Sequence, residues 1–173
     1  LYLDCMKKPS ALKPGDTIRL VAPSSPPNDR SSLEVAIAGL ETLGYHIKYS
    51  DTIFGRSGYL AGTDEERARD FQEAFSDEDV QAVLGVRCGY GATRLLDLMY
   101  WEAIEQSMIF IGFSDITALS CALWKFCEIP SFSGPVLMSD LLGNQPDPDS
   151  WNHLLSLVAG KKRNGPLICE PFN

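Results

Sequence analysis

Met108-Ile109-Phe110-Ile111-Gly112-Phe113-Ser114-Asp115-Ile116 joins a short apolar run to a tight turn and then to a helical pattern. The run 108–111 has the length and composition of a strand buried on both faces. Beyond the turn, Ile116, Leu119, Ala122, Leu123 and Phe126 recur at helical spacing, so the unit reads strand, turn, helix. The fold depends on whether the flanking sequence repeats that unit.

It does so on both sides. Upstream, 82–86 (Ala-Val-Leu-Gly-Val) predicts another strand, broken by Arg87-Cys88-Gly89-Tyr90-Gly91 and followed by a helical stretch over 92–99. Before it, Thr63-Asp64-Glu65-Glu66 has the spacing of a capping box, with Ala68, Phe71 and Phe75 as the apolar face of a helix ending near Ser76. Residues 53–62 are irregular, and 47–49 predict a strand. Leu33, Ile37, Leu40 and Leu43 form a helical stripe that Gly44 would stop. The first strand is 17–22, closed by Pro23-Ser24-Ser25-Pro26-Pro27. Downstream, 131–136 predict a fifth strand, and a last helix covers 150–158 after the loop containing Pro146 and Pro148.

Strict alternation of strands and helices predicts an α/β fold, a doubly wound and mostly parallel sheet with helices on both faces, of the flavodoxin-like or class I glutamine amidotransferase-like kind. The expected organisation is an extension over 1–12, one α/β domain over 13–159, and a linker over 160–173. Such sheets bind ligands in loops at the carboxyl ends of the strands, which selects 23–30, 87–91 and 113–115.

Composition narrows the partners. The 173 residues are 45% hydrophobic and carry a formal net charge of −8, so polyanions such as nucleic acid or an anionic membrane are excluded as expected partners. The apolar run 108–113 is too short to span a bilayer and residues 1–15 lack the apolar core of a signal peptide, which points to the cytoplasm. Cys5, Cys88, Cys121, Cys127 and Cys169 form no Cys-x-x-Cys pair, so free thiols are expected, with no zinc site. No metal and no cofactor are expected.

A strand, a tight turn carrying serine and a helix form the layout of a nucleophile elbow, in which Ser114 would be exposed above the sheet and the Asp115 amide would be the first oxyanion donor. Serine before a helix is also a favoured N-cap, and both readings stand on local pattern. The Gly-x-Ser-x-Gly pattern is incomplete, because Ile116 occupies its last position. The glycine-rich loop 87–91 lets backbone approach a ligand, or simply makes a turn. It lacks the third glycine of a dinucleotide fingerprint, and no phosphate-binding Gly-x-x-x-x-Gly-Lys-Ser/Thr occurs. A base for Ser114 is not evident. His46 begins a predicted strand, at the edge opposite the loops, and His153 lies among leucines on the last helix. Lys125 is roughly 16 Å along the helix from Ser114.

Three stretches together carry a family resemblance: Gly58-Tyr59-Leu60-Ala61-Gly62-Thr63-Asp64-Glu65-Glu66-Arg67-Ala68, Arg87-Cys88-Gly89-Tyr90-Gly91-Ala92, and Gly112-Phe113-Ser114-Asp115-Ile116-Thr117-Ala118-Leu119. With Leu12-Lys13-Pro14-Gly15-Asp16 before the first strand, the chain resembles the LD-carboxypeptidases, serine peptidases that include murein tetrapeptide carboxypeptidases and microcin-immunity hydrolases. The resemblance implies a Ser-Glu-His triad with Ser114 as nucleophile, and an oxyanion hole from the amide of Asp115 and one from the Cys88-Gly89 turn. It places the Glu and His in a second domain, so this chain would be the nucleophile half and inactive alone. It further implies a small peptide substrate cleaved between an L-centre and a terminal D-amino acid, in cytoplasmic peptidoglycan recycling, and a homodimer for the full-length protein. The chain departs from the family in Cys88, where glycine is usual, and in Ser133-Gly134-Pro135, where His-Gly-Pro is usual. The alternatives are a non-catalytic peptide-binding module of the same fold, a microcin-type amide hydrolase, or, from the fold alone, a nucleotide or flavin binder.

Overall fold

The computed structural model describes residues 8–138 and 148–161. Five strands, β1 (Thr17–Val21), β2 (His46–Tyr49), β3 (Ala82–Gly85), β4 (Ile109–Gly112) and β5 (Ser131–Ser133), form one sheet in the order β2-β1-β3-β4-β5, with every pairing parallel. The order reverses between β1 and β3, the point at which doubly wound sheets open a crevice above their carboxyl ends. Helices α1 (Arg30–Thr42), α2 (Asp64–Ser76), α3 (Thr117–Ala122) and α4 (Pro148–Val158) are joined by short 3-10 turns at Asp51–Phe54, Ala92–Leu98, Trp101–Ala103 and Ser114–Ile116.

Alternate side chains of the central strands feed two cores. Val21, Val83 and Phe110 pack against α2, the 92–98 turn and α3, where Phe71 and Phe75 meet Phe110 with ring centroids 5.3 and 5.9 Å apart. Leu20, Leu84, Ile109 and Ile111 face the other way, against α1 and α4. With both faces covered, the expected apolar runs of a parallel sheet follow directly. Leu12 is buried in the second core and its amide donates to Val158 O at 2.8 Å, so the packed fold reaches into the segment set aside as an extension. Of the expected linker, Gly160 and Lys161 are described and 162–173 lie outside the described residues.

Local signals fix most helix ends. At α2 both halves of the capping box are made: Glu66 N–H donates to Thr63 Oγ1 at 3.2 Å and Thr63 N–H to Glu66 Oε2 at 2.8 Å. Helix α1 begins on an Asp29 cap, with Ser32 N–H donating to Asp29 Oδ1 at 2.7 Å, and Gly44 follows its end with φ 91°. Helix α2 is tied to β1 by Arg19, whose Nη2 donates to Asp70 Oδ1 at 2.8 Å. Burial pushes the Asp70 carboxyl above its ordinary value even against that bond, so the pair aligns α2 more than it stabilises it.

The helix after Ser114 departs from its predicted face. Its last turn, Leu123–Cys127, is a wide π turn that adds a residue and shifts the side chains around the axis. Cys127 is therefore buried in place of Phe126, which lies exposed and stacked on Trp101 with centroids 5.9 Å apart.

Thr63→Ala removes one half of the capping box and should lower stability by about 1 kcal/mol, read from the urea midpoint, with the slope unchanged.

Candidate active site

Strand β4 ends at Gly112, Phe113 continues extended, and the chain then bends sharply at Ser114 with φ 60°. Among the described residues only Ser114 and Glu128 combine a side chain with positive φ. That conformation costs an L-residue about 1–2 kcal/mol, so the surroundings must impose it. They do so through Ile116, which is fully buried and folds back over the ends of β3 and β4. A Cβ at Gly112 would overlap Ile116 Cγ2, and one at Gly85 would lie 2.8 Å from Ile116 Cδ1. The two strand glycines make the notch that Ile116 fills, which explains an elbow without the second glycine of the usual pattern. Ser114 is exposed, and its hydroxyl has no hydrogen-bond partner among the described residues. The N-cap position belongs to Phe113, and no side chain caps this turn, so the capping role considered for Ser114 is not what the serine does.

The next residue ties the loops together. Asp115 Oδ2 accepts the Ser24 hydroxyl at 2.6 Å and the Ala92 amide at 3.1 Å, and Oδ1 accepts the Gly89 amide at 3.0 Å. One carboxylate thus joins the loops after β1 and β3 to the elbow after β4. Ser24 is wholly buried, and a hydroxyl there requires such an acceptor. Gly89, at φ 154°, stands so close to the first loop that a Cβ would lie 2.6 Å from Ser25 Oγ.

Arg67 braces the same loops from below. It is almost fully buried; Nη1 donates to the carbonyls of Pro23 and Gly91, and Nη2 to Asp64. Asp64 also receives Arg94, through Nε at 2.8 Å and Nη2 at 2.6 Å. The Arg94 bonds, aided by Arg67, hold the Asp64 carboxyl below its ordinary 3.8 against a smaller opposing effect of burial. Because the folded value is depressed, this contribution to stability is present above the ordinary carboxylate range and lost as pH falls through the folded value. The Gly58–Ala68 stretch singled out by resemblance therefore supplies the helix cap and the arginine that hold the site's backbone.

Of the expected site residues, the fold brings Ser114, Asp115, Cys88 and Gly89 to one edge of the sheet. The Gly89 amide, one of the two offered by that turn as an oxyanion donor, is given to Asp115 Oδ1. Cys88 is half-buried with its side chain against the α2/α3 core, and it has no positive φ, so the backbone there accepts a side chain. Ser133 is exposed and in register with Gly112, beside the elbow. His46 pairs with Thr17 at the opposite, amino end of the strands. His153 is half-buried on α4, and Lys125 lies in the wide turn beyond α3; neither bonds to Ser114. Among the described residues no group of three acidic, histidine or cysteine side chains is placed to hold a metal ion. Asp115 entered the sequence reading only for its amide; its carboxylate, Ser24 and Arg67 were missed, because their partners are 91, 26 and 44 residues away in the chain.

Asp115→Ala should strand the buried Ser24 hydroxyl and the Ala92 amide and cost about 3 kcal/mol or more in chemical unfolding, while Asp115→Asn, which keeps an acceptor oxygen, should cost less.

Residues 18–134 match the LD-carboxypeptidase N-terminal domain family. The chain is 40% identical over 135 residues to a probable murein peptide carboxypeptidase of Bacillus subtilis, covering 78% of this chain and 42% of the relative. It is 35% identical over 121 residues to the murein tetrapeptide carboxypeptidase of Pseudomonas aeruginosa, covering 69% and 39%. The chain thus spans less than half the length of these relatives. The muramoyltetrapeptide carboxypeptidase from Oxalobacter formigenes superposes with a TM-score of 0.72 at 33% identity over 82% of this chain and 47% of that one. A microcin C7 self immunity protein superposes with a TM-score of 0.81 over 91% and 48%, at 23% identity, a likeness of fold alone. The matched span contains the elbow, its glycine notch and the loops clamped by Asp115, and by that match over more than half of its residues the chain belongs to the LD-carboxypeptidase family through its N-terminal domain.

Proposed function

We propose that this chain is the nucleophile half of a cytoplasmic serine LD-carboxypeptidase that releases a terminal D-amino acid from an L,D-peptide such as a murein tetrapeptide. The observation that carries the reading is Ser114, exposed at φ 60° between β4 and a helix with its hydroxyl unengaged. A capping or packing serine has no need of that strained conformation, whereas a nucleophile above a sheet does.

In this reading Ser114 Oγ attacks the scissile carbonyl carbon as its proton passes to a general base. The carbonyl oxygen, now an oxyanion, accepts from the Asp115 amide, which lies in the first turn of the helix and has no preceding helical carbonyl to bond. The second donor is the Cys88 amide, since the Gly89 amide already serves Asp115 Oδ1. The C–N bond then breaks, the amine of the departing residue takes the proton, and water hydrolyses the acyl-serine. The base and its carboxylate partner belong to the part of the protein that this chain does not span. Two facts support that assignment: neither histidine bonds to Ser114, and the matched relatives are more than twice as long as the aligned segment.

In the full-length protein, Ser114→Ala should abolish D-alanine release from an L,D-tetrapeptide while changing the free energy of unfolding by no more than about 0.5 kcal/mol, because an exposed elbow side chain packs little. The 173-residue chain alone should show only residual turnover. Robust D-alanine release by that chain, or by the Ser114→Ala protein, contradicts the proposal.

A further inference from the structure

A peptidase that removes a terminal residue faces a carboxylate two bonds from the nitrogen it cleaves. In a chain of net charge −8, that anion needs a dedicated cation near the nucleophile. Most basic groups around the sheet are already engaged: Arg19 with Asp70, Arg30 with Asp51, Lys48 with Asp77 and Asp79, and Arg67 and Arg94 with Asp64.

Two arginines at the carboxyl edge are different. Arg87 directly precedes Cys88 at the end of β3, is half-buried, and donates through Nη1 only to the side-chain oxygen of Asn28. Arg56 donates through Nη2 to the carbonyls of Pro27 and Asn28, each at 3.2 Å. Neither has a carboxylate within 4 Å among the described residues, and all their partners are neutral oxygens of the loop after β1. The adjoining acid, Asp29, is turned away, its carboxylate accepting from Ser31 and Ser32 at the start of α1. Two guanidinium groups therefore flank Asn28 at the switch point between β1 and β3, and one of them, that of Arg87, belongs to the residue directly before Cys88, the proposed oxyanion donor.

Resting on the proposed function, we propose that Arg87, assisted by Arg56, is the subsite for the terminal carboxylate of the peptide substrate. A carboxylate accepts a guanidinium fork more strongly than an amide oxygen does, so substrate draws Arg87 from Asn28 toward the scissile bond. Arg87 is then what makes the enzyme a carboxypeptidase, because a peptide whose terminus lies further on has no anion at that point.

The test uses the full-length protein and two tetrapeptides that differ only in the last group, a free carboxylate or a primary amide, so that side-chain carboxylates are common to both. Wild type should favour the acid by about 10- to 100-fold in kcat/KM. Arg87→Gln should lose about that factor on the acid and little on the amide, and Arg56→Gln, an exposed change that leaves folding intact, should lose a smaller part of it. Equal losses on both peptides, or undiminished preference in Arg87→Gln, overturn the assignment while leaving Ser114 as nucleophile. Should wild type cleave neither peptide, the proposed function itself fails. Binding of the two peptides to the Ser114→Ala protein separates the cases further, since the subsite requires tighter binding of the acid without any chemistry.

Discussion

The Asp115 carboxylate carries the geometry of the sheet's carboxyl edge. Loops after parallel strands are separate excursions of the chain, and nothing in the sheet ladder fixes them relative to one another. Here three donors from the loops after β1 and β3, the Ser24 hydroxyl and the Gly89 and Ala92 amides, converge on one side chain whose own backbone forms the elbow. Because the carboxylate is a charged acceptor of three hydrogen bonds in a partly buried place, the loops cannot drift apart without leaving it unsatisfied. Arg67 repeats the device from the other side, binding the same two loops through their carbonyls.

That constraint accounts for how Ser114 sustains an unfavourable backbone angle. Asp115 is anchored by its side chain and Ile116 by the glycine notch of β3 and β4, so the residue before them must make the turn in one step. Strain at Ser114 is stored by the two residues that follow it. The arrangement leaves the serine hydroxyl without a hydrogen-bond partner among the described residues, and it puts Ser114 at the first position of the short helical turn Ser114–Ile116.

Much of this architecture is legible in the sequence. The five strands, the capping box at Thr63, the stop at Gly44 and the loops that would face a ligand follow from period, turn residues and chain order, all local properties. The apparent defect of the elbow, Ile116 in place of glycine, is legible only in three dimensions, since its remedy is Gly85, 31 residues earlier. The same holds for the Asp115 and Arg67 clamps, whose partners are distant in sequence. Phe126 shows a different limit: a π turn breaks the 3.6-residue period, and no composition signal announces it. The burial of Leu12 against α4 likewise depends on the final helix returning to the first strand's approach.

If the strained serine after β4 is the proposed nucleophile, its hydroxyl is chemically activated in the folded protein. The most direct measurement is to treat the full-length protein with a fluorophosphonate, which phosphonylates activated serines, and to map the adduct by mass spectrometry. A single phosphonyl group on Ser114, absent after prior unfolding, is the expected result. No adduct, or an adduct on another serine such as Ser25 with Ser114 unmodified, would contradict it.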